Sequence, residues 1–488
     1  MKHLSFITIL TVALTTFGCA PKTQPMTVSD NAAESLQSHD NSEFSNRKPF
    51  KYSIVTDVEF ENNDGNNVSD ITIVVLVQMN TLGGKFPAKY DLDCEGDGDY
   101  EFKGLTDNHE CTYKLGTGKH QIWVRGDIPA MWLCTGGRIE SNERPAGIDC
   151  QNLSYDDLNL YPGCLSMINK ENHSYGVVVS VDDWGDISWQ SMFGFAAFCK
   201  YLDRLPNDSP SLENVTDMSK MFYHASHINQ PLEKWDVSNV TNMSQMFEEA
   251  SLFNQPLENW NVSNITNMSS MFYGTQSFNQ PLENWDVSNV TNMSGMFGAT
   301  SAFNQPLEKW DVSHVTDMSG MFYVADAFNQ PLEKWDVSRV TTMKMMFFRA
   351  IEFNQPLEKW NVSNVIDMSH MFNIAQSFNQ PLENWDVSNV RNMSEMFLIA
   401  ESFNQPLERW NVSNVTDMSE MFARATSFNQ PLGKWNISNV TNMHCMFCNA
   451  ESFNYYPKSW IVPKKDLKSM FSGSKVEAMS KKKPLKTR

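Results

Sequence analysis

The sequence predicts an α/β repeat solenoid preceded by a small all-β sandwich domain, and three observations predict it. Asn-Gln-Pro-Leu recurs every twenty-five residues from Asn229 to Asn429, and tryptophan stands at 235, 260, 285, 310, 335, 360, 385, 410, 435 and 460. A fixed period of this size marks a stacked array in which each repeat is one supersecondary unit. Inside each repeat the apolar residues change period from strand-like to helix-like. Ahead of the array the pattern is different again: short β-branched runs separated by Gly, Asn and Asp, the signature of a small β domain.

Each element of the repeat follows from its residues. Leu232, Trp235 and Val237 form L-x-x-W-x-V, whose last two members alternate as a short strand does. Val240, Met243, Met246, Phe247 and Ala250 follow at spacings of three and four, one face of a short helix. Ser238 or Asn239 is placed to cap that helix, and Phe253 closes the unit. Pro231 holds Gln230 extended, so Asn229-Gln230-Pro231 reads as the turn into the next strand. The Met and Trp columns sit on the inward face and are expected in the core. Two polar columns are expected to face outward. Asp236, Asn261, Asp286, Asp311, Asp336, Asn361, Asp386, Asn411 and Asn436 form the candidate ligand face on the strand. Glu233, Glu258, Glu283, Glu308, Glu333, Glu358, Glu383 and Glu408 form a second acidic row. Such rows suit a basic partner or bridging cations; a solvated face that keeps the array soluble is the other reading. Residues vary between repeats at Gln245, Ser270, Gly295, Met345 and His370.

In the segment before the array, Tyr52 to Val55, Ile71 to Val77, Lys89 to Cys94, Glu110 to Leu115 and His120 to Arg125 read as strands. Asp91, Asp93, Glu95, Asp97 and Asp99, with Gly96 and Gly98, have the alternating carboxylates of a calcium loop. Phe102 stands where the twelfth-position Glu belongs, so an acidic β-turn is the competing reading. From Asn152 to Pro210 the wording is irregular, as expected for a terminal cap. At the far end Met470-Phe471 arrive one residue early.

The W-D-V-S-N-V-T-N-M-S-x-M-F wording with F-N-Q-P-L closely resembles the BspA-like leucine-rich repeat of bacterial surface proteins. Val181 to Phe193 is similar to the irregular first units of such arrays. Y-D-L-D-C-E-G-D-G-D-Y-E, followed by E-C-T-Y and a G-x-x-x-x-W-V strand, is similar to PKD-like domains. The resemblance implies a surface-displayed protein engaged in adhesion and protein binding, with no catalytic residues and no cofactor. PKD-like domains imply a spacer or a sugar- or protein-binding module.

The chain ends carry their own signals. Met1-Lys2-His3 and the apolar run to Phe17 read as a secretory signal too short to span a bilayer. Gly18-Cys19-Ala20 resembles a bacterial lipobox with Cys19 as the lipidated residue, although Thr16 replaces the usual Leu; ordinary cleavage near Ala20 is the alternative. Ala20 is compatible with export to the outer membrane. The divisions are therefore 1–18 signal, 19–49 lipidated Cys and flexible tether, 50–145 PKD-like β-sandwich, 146–210 cap, 211–474 repeat array and 475–488 basic tail. A net charge of −19 argues against nucleic acid as a partner. From Lys464 to Arg488 nine basic residues face two acidic ones, a tail that either frays into solvent or touches an anionic surface. Without Cys19, eight cysteines suit an oxidising compartment. Proximity suggests the pairs Cys94–Cys111, Cys134–Cys150 and Cys164–Cys199. Cys445 and Cys448, beside His444, form one C-x-x-C: a redox or metal motif, a local disulfide, or two buried thiols. No hydrolase, phosphate-binding or dinucleotide fingerprint is present. The functional expectation is a non-enzymatic, exported, lipid-anchored protein that binds host or neighbouring-cell surface proteins through the array. A passive surface coat or antigen is the alternative.

Overall fold

The computed structural model describes residues 47–55, 70–77, 89–93, 98, 100–105, 109–114, 119–127, 131–133 and 177–488. The signal, Cys19, most of the tether, Glu95, Asp97, Asp99 and Cys94, Cys134, Cys150 and Cys164 lie outside the described residues.

The first described part is β-rich. β1 (Phe50–Val55), β3 (Lys89–Asp93), β4 (Phe102–Leu105), β6 (Lys119–Asp127) and β8 (Val177–Asp183) form one sheet in the order β4-β3-β6-β1-β8. β2 (Asp70–Val77), β5 (His109–Lys114) and β7 (Met131–Trp132) form a second in the order β5-β2-β7. Every neighbouring pair is antiparallel. The larger sheet is not a free-standing sandwich. Its edge strand β8 leads directly into the first coil, and Phe50 on β1 packs edge-on against Trp189 and Phe195 of that coil at 5.7 and 6.0 Å. One apolar cluster runs from Phe50 to Leu485. The expected self-contained β-sandwich is thereby corrected.

The α/β solenoid is corrected as well. From Trp184 to Trp460 the chain contains no α-helix and no strand, only turns and single parallel bridges. The bridges link equivalent residues one repeat apart, Asp217 to Asn242 to Asn267 and on to Asn442. The expected helix fails at two residues per repeat. Gln245 and Glu249 have φ of 58° and 59°, and Met345 and Arg349 have 57° and 54°. Left-handed residues cannot continue a right-handed helix. Backbone amides instead alternate. Met246, Glu248 and Ala250 donate three residues back, to Met243, Gln245 and Phe247. Met243, Gln245, Phe247 and Glu249 donate to the next repeat, to Asn267, Ser269, Met271 and Tyr273. The expected strand fails for a related reason. Trp235 N donates to Leu232 O and Val240 N to Val237 O, so local turns consume the donors a ladder needs.

Side chains complete what the backbone begins. Leu232, Trp235, Val237, Val240, Met243, Met246, Phe247, Ala250 and Phe253 and their equivalents are buried. The tryptophans from Trp285 to Trp435 stack face to face, 6.4 to 6.5 Å between centroids and within 3° of parallel. From Trp260 to Trp435 each indole N–H also finds a partner: Trp260 Nε1 donates to Leu232 O at 2.9 Å, and Trp335 Nε1 to Leu307 O at 2.9 Å. A buried donor left without an acceptor costs about 1–3 kcal/mol, so this bond fixes the leucine carbonyl as firmly as the ring fixes the core. The Asn of Asn-Gln-Pro-Leu forms a second ladder. Asn329 Oδ1 accepts Asn354 N and Gln355 Nε2, each at 3.0 Å, and every repeat from Asn229 onward accepts its successor's Asn amide in the same way. That ladder explains why Asn-Gln recurs unchanged.

The basic tail is docked. α1 (Glu477–Lys482) leads to β10 (Lys486–Thr487), which pairs in parallel with β9 (Ile461–Val462). Leu485 is buried, and the Arg488 guanidinium donates to the carbonyls of Ile461, Ile437 and Val440.

Two measurements check this fold. Ala299 has φ 52°. In a helix, Ala299→Gly loses about 1 kcal/mol; in a left-handed turn it relieves about 1–2 kcal/mol of strain against about 0.5–1 kcal/mol of glycine entropy. Denaturant titration is expected to show Ala299→Gly at least as stable as the parent. Asn329→Ala removes an acceptor of two donors and is expected to destabilise by about 1–2 kcal/mol, with Asn329→Asp, which keeps the accepting oxygen, recovering much of the loss.

Candidate functional site

The nine residues of the candidate ligand face are all exposed, in line along the array. They do not stand on a strand. Each accepts the backbone amide of the serine two residues on: Ser238 N reaches Asp236 at 3.1 Å, Ser263 N Asn261 at 3.2 Å and Ser288 N Asp286 at 3.1 Å. Ser313, Ser338, Ser363, Ser388, Ser413 and Ser438 bond Asp311, Asp336, Asn361, Asp386, Asn411 and Asn436 in the same way. The Asp/Asn interchange is thus what a turn-capping acceptor tolerates, since both side chains present the same oxygen. The glutamate row is largely engaged too. Glu283, Glu308, Glu333, Glu383 and Glu408 pair with Lys309, Lys334, Lys359, Arg409 and Lys434 of the next repeat at 3.0 to 3.3 Å. Each such surface pair contributes little alone, but together they leave few uncompensated carboxylates in that row.

In the β-rich part, Asp91 pairs with Arg125 at 3.2 Å, both buried, and Arg125 lies over the Tyr100 ring at 3.8 Å. Asp93 accepts Gly98 N at 2.7 Å. These two carboxylates therefore serve an internal ion pair and a turn. Among the described residues no group of three or more His, Cys, Asp or Glu is placed to hold a metal ion. Cys445 and Cys448 form a disulfide, and Cys199 is also disulfide-bonded. No helix among the described residues is long and apolar enough to cross a membrane.

The surface on which repeats differ is the face of the left-handed turns. It comprises the variable column noted at Gln245 and two further columns, one and two residues after each phenylalanine. At one end lie titratable side chains. Burial pushes the His224 imidazole down to about 4, and the ring stacks on Phe198 at 5.3 Å and 10°. Burial also lowers Lys220, raises Glu248 and pushes the Tyr273 hydroxyl up to about 12. In the middle an aromatic stripe runs across repeats. Tyr273 reaches over Gly298, where a Cβ would meet its ring at 2.5 Å, and stacks on Tyr323 at 6.4 Å. Phe348 follows at 4.9 Å. All three rings are half-buried. At the other end Leu398, Ile399, Glu420, Arg424, Cys445, Cys448 and Lys468 line a cavity of about 530 Å³. Sequence reasoning had one of these columns and missed its neighbours. Column-by-column comparison of the repeats carries the signal: glycine at 295 and 320 in one column and Tyr, Gly, Tyr, Phe at 273, 298, 323 and 348 in the next.

The turn-capping role has a measurable consequence. The Ser313 hydroxyl and amide hold the Asp311 carboxyl below its ordinary value, and Ser238 does so for Asp236. A folded value below the unfolded one stabilises above the unfolded value, and that contribution is lost as pH falls through the folded one. Acid titration of unfolding is expected to show it fading below about pH 4. Asp311→Asn is expected to lack that acid limb with near-parent stability at neutral pH, while Asp311→Ala loses about 0.5–1 kcal/mol.

Comparison with known proteins adds one family. Residues 188–309, 292–397 and 376–483 match, in three overlapping tandem segments, the family described as "Mycoplasma protein of unknown function, DUF285". No curated protein and no solved structure matches the chain significantly. The matched segments span residues 188–483 of 488, more than half of the sequence, and the chain belongs to the DUF285 family.

Proposed function

We propose that this repeat protein is a non-enzymatic surface protein that binds a host or neighbouring-cell protein through the face of its left-handed turns. The observation that carries the reading is the division of labour within the repeat. The Asn-Gln, Trp, Asp/Asn-x-Ser and Glu–Lys columns are committed to joining or capping turns. The turn face differs from one repeat to the next and presents Tyr273, Tyr323 and Phe348 half-exposed and in contact. Aromatic side chains of this kind dominate protein recognition because they bury large area at small entropic cost. The resemblance to BspA-like surface repeats and the tandem family match support a surface role. The amino-terminal signal, Cys19 and the polar tether support export and lipid anchoring to the cell surface. Weak contacts repeated along such a face add by multivalency.

A screen of the full chain against extracellular-matrix and cell-surface proteins tests the reading. A Tyr323→Ala/Phe348→Ala double variant, folded as judged by an unchanged unfolding midpoint, is expected to bind at least about tenfold more weakly. An Asp286→Asn/Asp311→Asn/Asp336→Asn variant is expected to bind as the parent does. Equal binding by the aromatic variant, or loss confined to the aspartate variant, overturns the assignment of the face.

A further inference from the structure

At the cavity at the carboxyl-terminal end of the turn face a reactive bond meets open space. Three successive repeats and the closing segment build it, and the Cys445–Cys448 disulfide lies in its wall. The disulfide occupies a position with a distinct backbone. At the equivalent places, from Gly194 through Lys220, Gln245 and on to Glu420, the amide donates to a carbonyl of the next repeat. Cys445 N makes no such bond among the described residues, because the closing segment brings Met470 and Phe471 in one residue early. The covalent link between Cys445 and Cys448 spans the turn that elsewhere is tied by that hydrogen bond.

The surroundings suit thiol chemistry. Arg424 and Lys468 line the cavity and are exposed; Glu420 is the one carboxylate with them in the wall, so the lining carries a net positive charge. A positive site favours a thiolate over a thiol and attracts an anionic one. The volume, about 530 Å³, is within the range of small-molecule sites. The two sulfurs are unequal. Cys445 is half-buried, whereas Cys448 is buried, and its Sγ lies 3.1 Å from the Ser469 carbonyl oxygen. A protonated Cys448 therefore has an acceptor in place.

We propose that Cys445–Cys448 is a thiol-exchange site for a small, carboxylate-bearing thiol. The incoming thiolate attacks Cys445 Sγ; the bond to Cys448 breaks, and Cys448 leaves as a thiolate that takes a proton and donates it to Ser469 O. A second thiolate attacks the sulfur of the bound thiol, releasing the small-molecule disulfide and leaving Cys445 as a thiolate. Two small thiols are oxidised to one disulfide and the protein disulfide is reduced by two electrons. The site stands apart from the aromatic stripe, so it holds or fails independently of partner binding there.

The test uses the full chain, folded, in glutathione buffers, with acid quench, alkylation and peptide mass spectrometry. Expected are reduction of the Cys445–Cys448 pair without denaturant, a transient glutathione adduct on Cys445, and a Cys199 disulfide that stays oxidised. The Arg424→Ala/Lys468→Ala variant is expected to react several-fold more slowly with glutathione and at the parent rate with uncharged dithiothreitol. Reduction only after unfolding, an adduct on Cys448 instead, or an unchanged glutathione rate in the double variant overturns the proposal. So does reduction by a dithiol protein with glutathione inert.

Discussion

Each repeat divides its backbone amides between two tasks, and the rest of the array depends on that division. Alternate amides close three-residue turns within a repeat, and the others reach the next repeat. Neither set alone holds twenty-five residues in place. The local bonds shape a unit with an exposed row of unpaired groups, and the stacking bonds pair that row. The arrangement requires left-handed backbone at two residues in each turn, mostly in residues with a Cβ, including the β-branched Val324, Ile374 and Ile399. A strained conformation of that kind persists only where the surroundings over-determine it. Here the over-determination is repetition itself, since the amides of the left-handed residues from Gly194 to Arg424 are each gripped by the following copy.

The ladders of identical side chains follow from the same stacking. Equivalent phenylalanines lie 5.6 to 6.1 Å apart from one repeat to the next and tryptophans 6.4 to 6.5 Å apart. Rings at that distance are offset rather than eclipsed, which the aromatic quadrupole favours. The polar ladders add direction. An asparagine that accepts the next repeat's amide, and an indole that donates to the previous repeat's leucine carbonyl, are satisfied only in the twenty-five-residue register. A slip by one residue would bury several donors without acceptors, which penalises every other register. Both ends need different chemistry. The β-rich segment covers the first repeat with Phe50, and the carboxyl-terminal segment covers the last with β10 and Arg488.

This division also separates surfaces by role. Columns that join repeats cannot vary without breaking a bond, so they recur as identical rows. On the turn face the side-chain links between repeats belong to single pairs, such as His370 and Asn373 with Glu395, and do not recur down the array. It is there that Tyr273, Tyr323, Phe348, His370 and Cys445 stand. The deep shift of His224 belongs to that face, caused by its burial beside Phe198 and Tyr223.

Much was legible in the amino acids alone. The period of twenty-five, the inward Trp, Met and Phe columns, the outward Asp/Asn column and the degenerate last unit are all local or periodic properties, and a periodic stack turns them directly into positions. Secondary structure was not legible. The 3,4 spacing from Val240 to Ala250 is the pattern of a helix, yet it is equally the inward pattern of consecutive tight turns, and periodicity cannot tell them apart. The choice falls to the amides of Gln245 and Glu249, which find acceptors only in another repeat. The same holds for the site. Sequence supplied the exposed aspartates as a binding row, but only the folded chain reveals that each carboxylate or amide is bonded to a serine amide two residues away. Tyr273, Tyr323 and Phe348 lie 25 to 75 residues apart in sequence and become neighbours through stacking alone. Sequence thus determined which residues are buried and which repeat; tertiary contacts decided what backbone they adopt and which side chains meet, because those outcomes rest on hydrogen bonds and packing between copies.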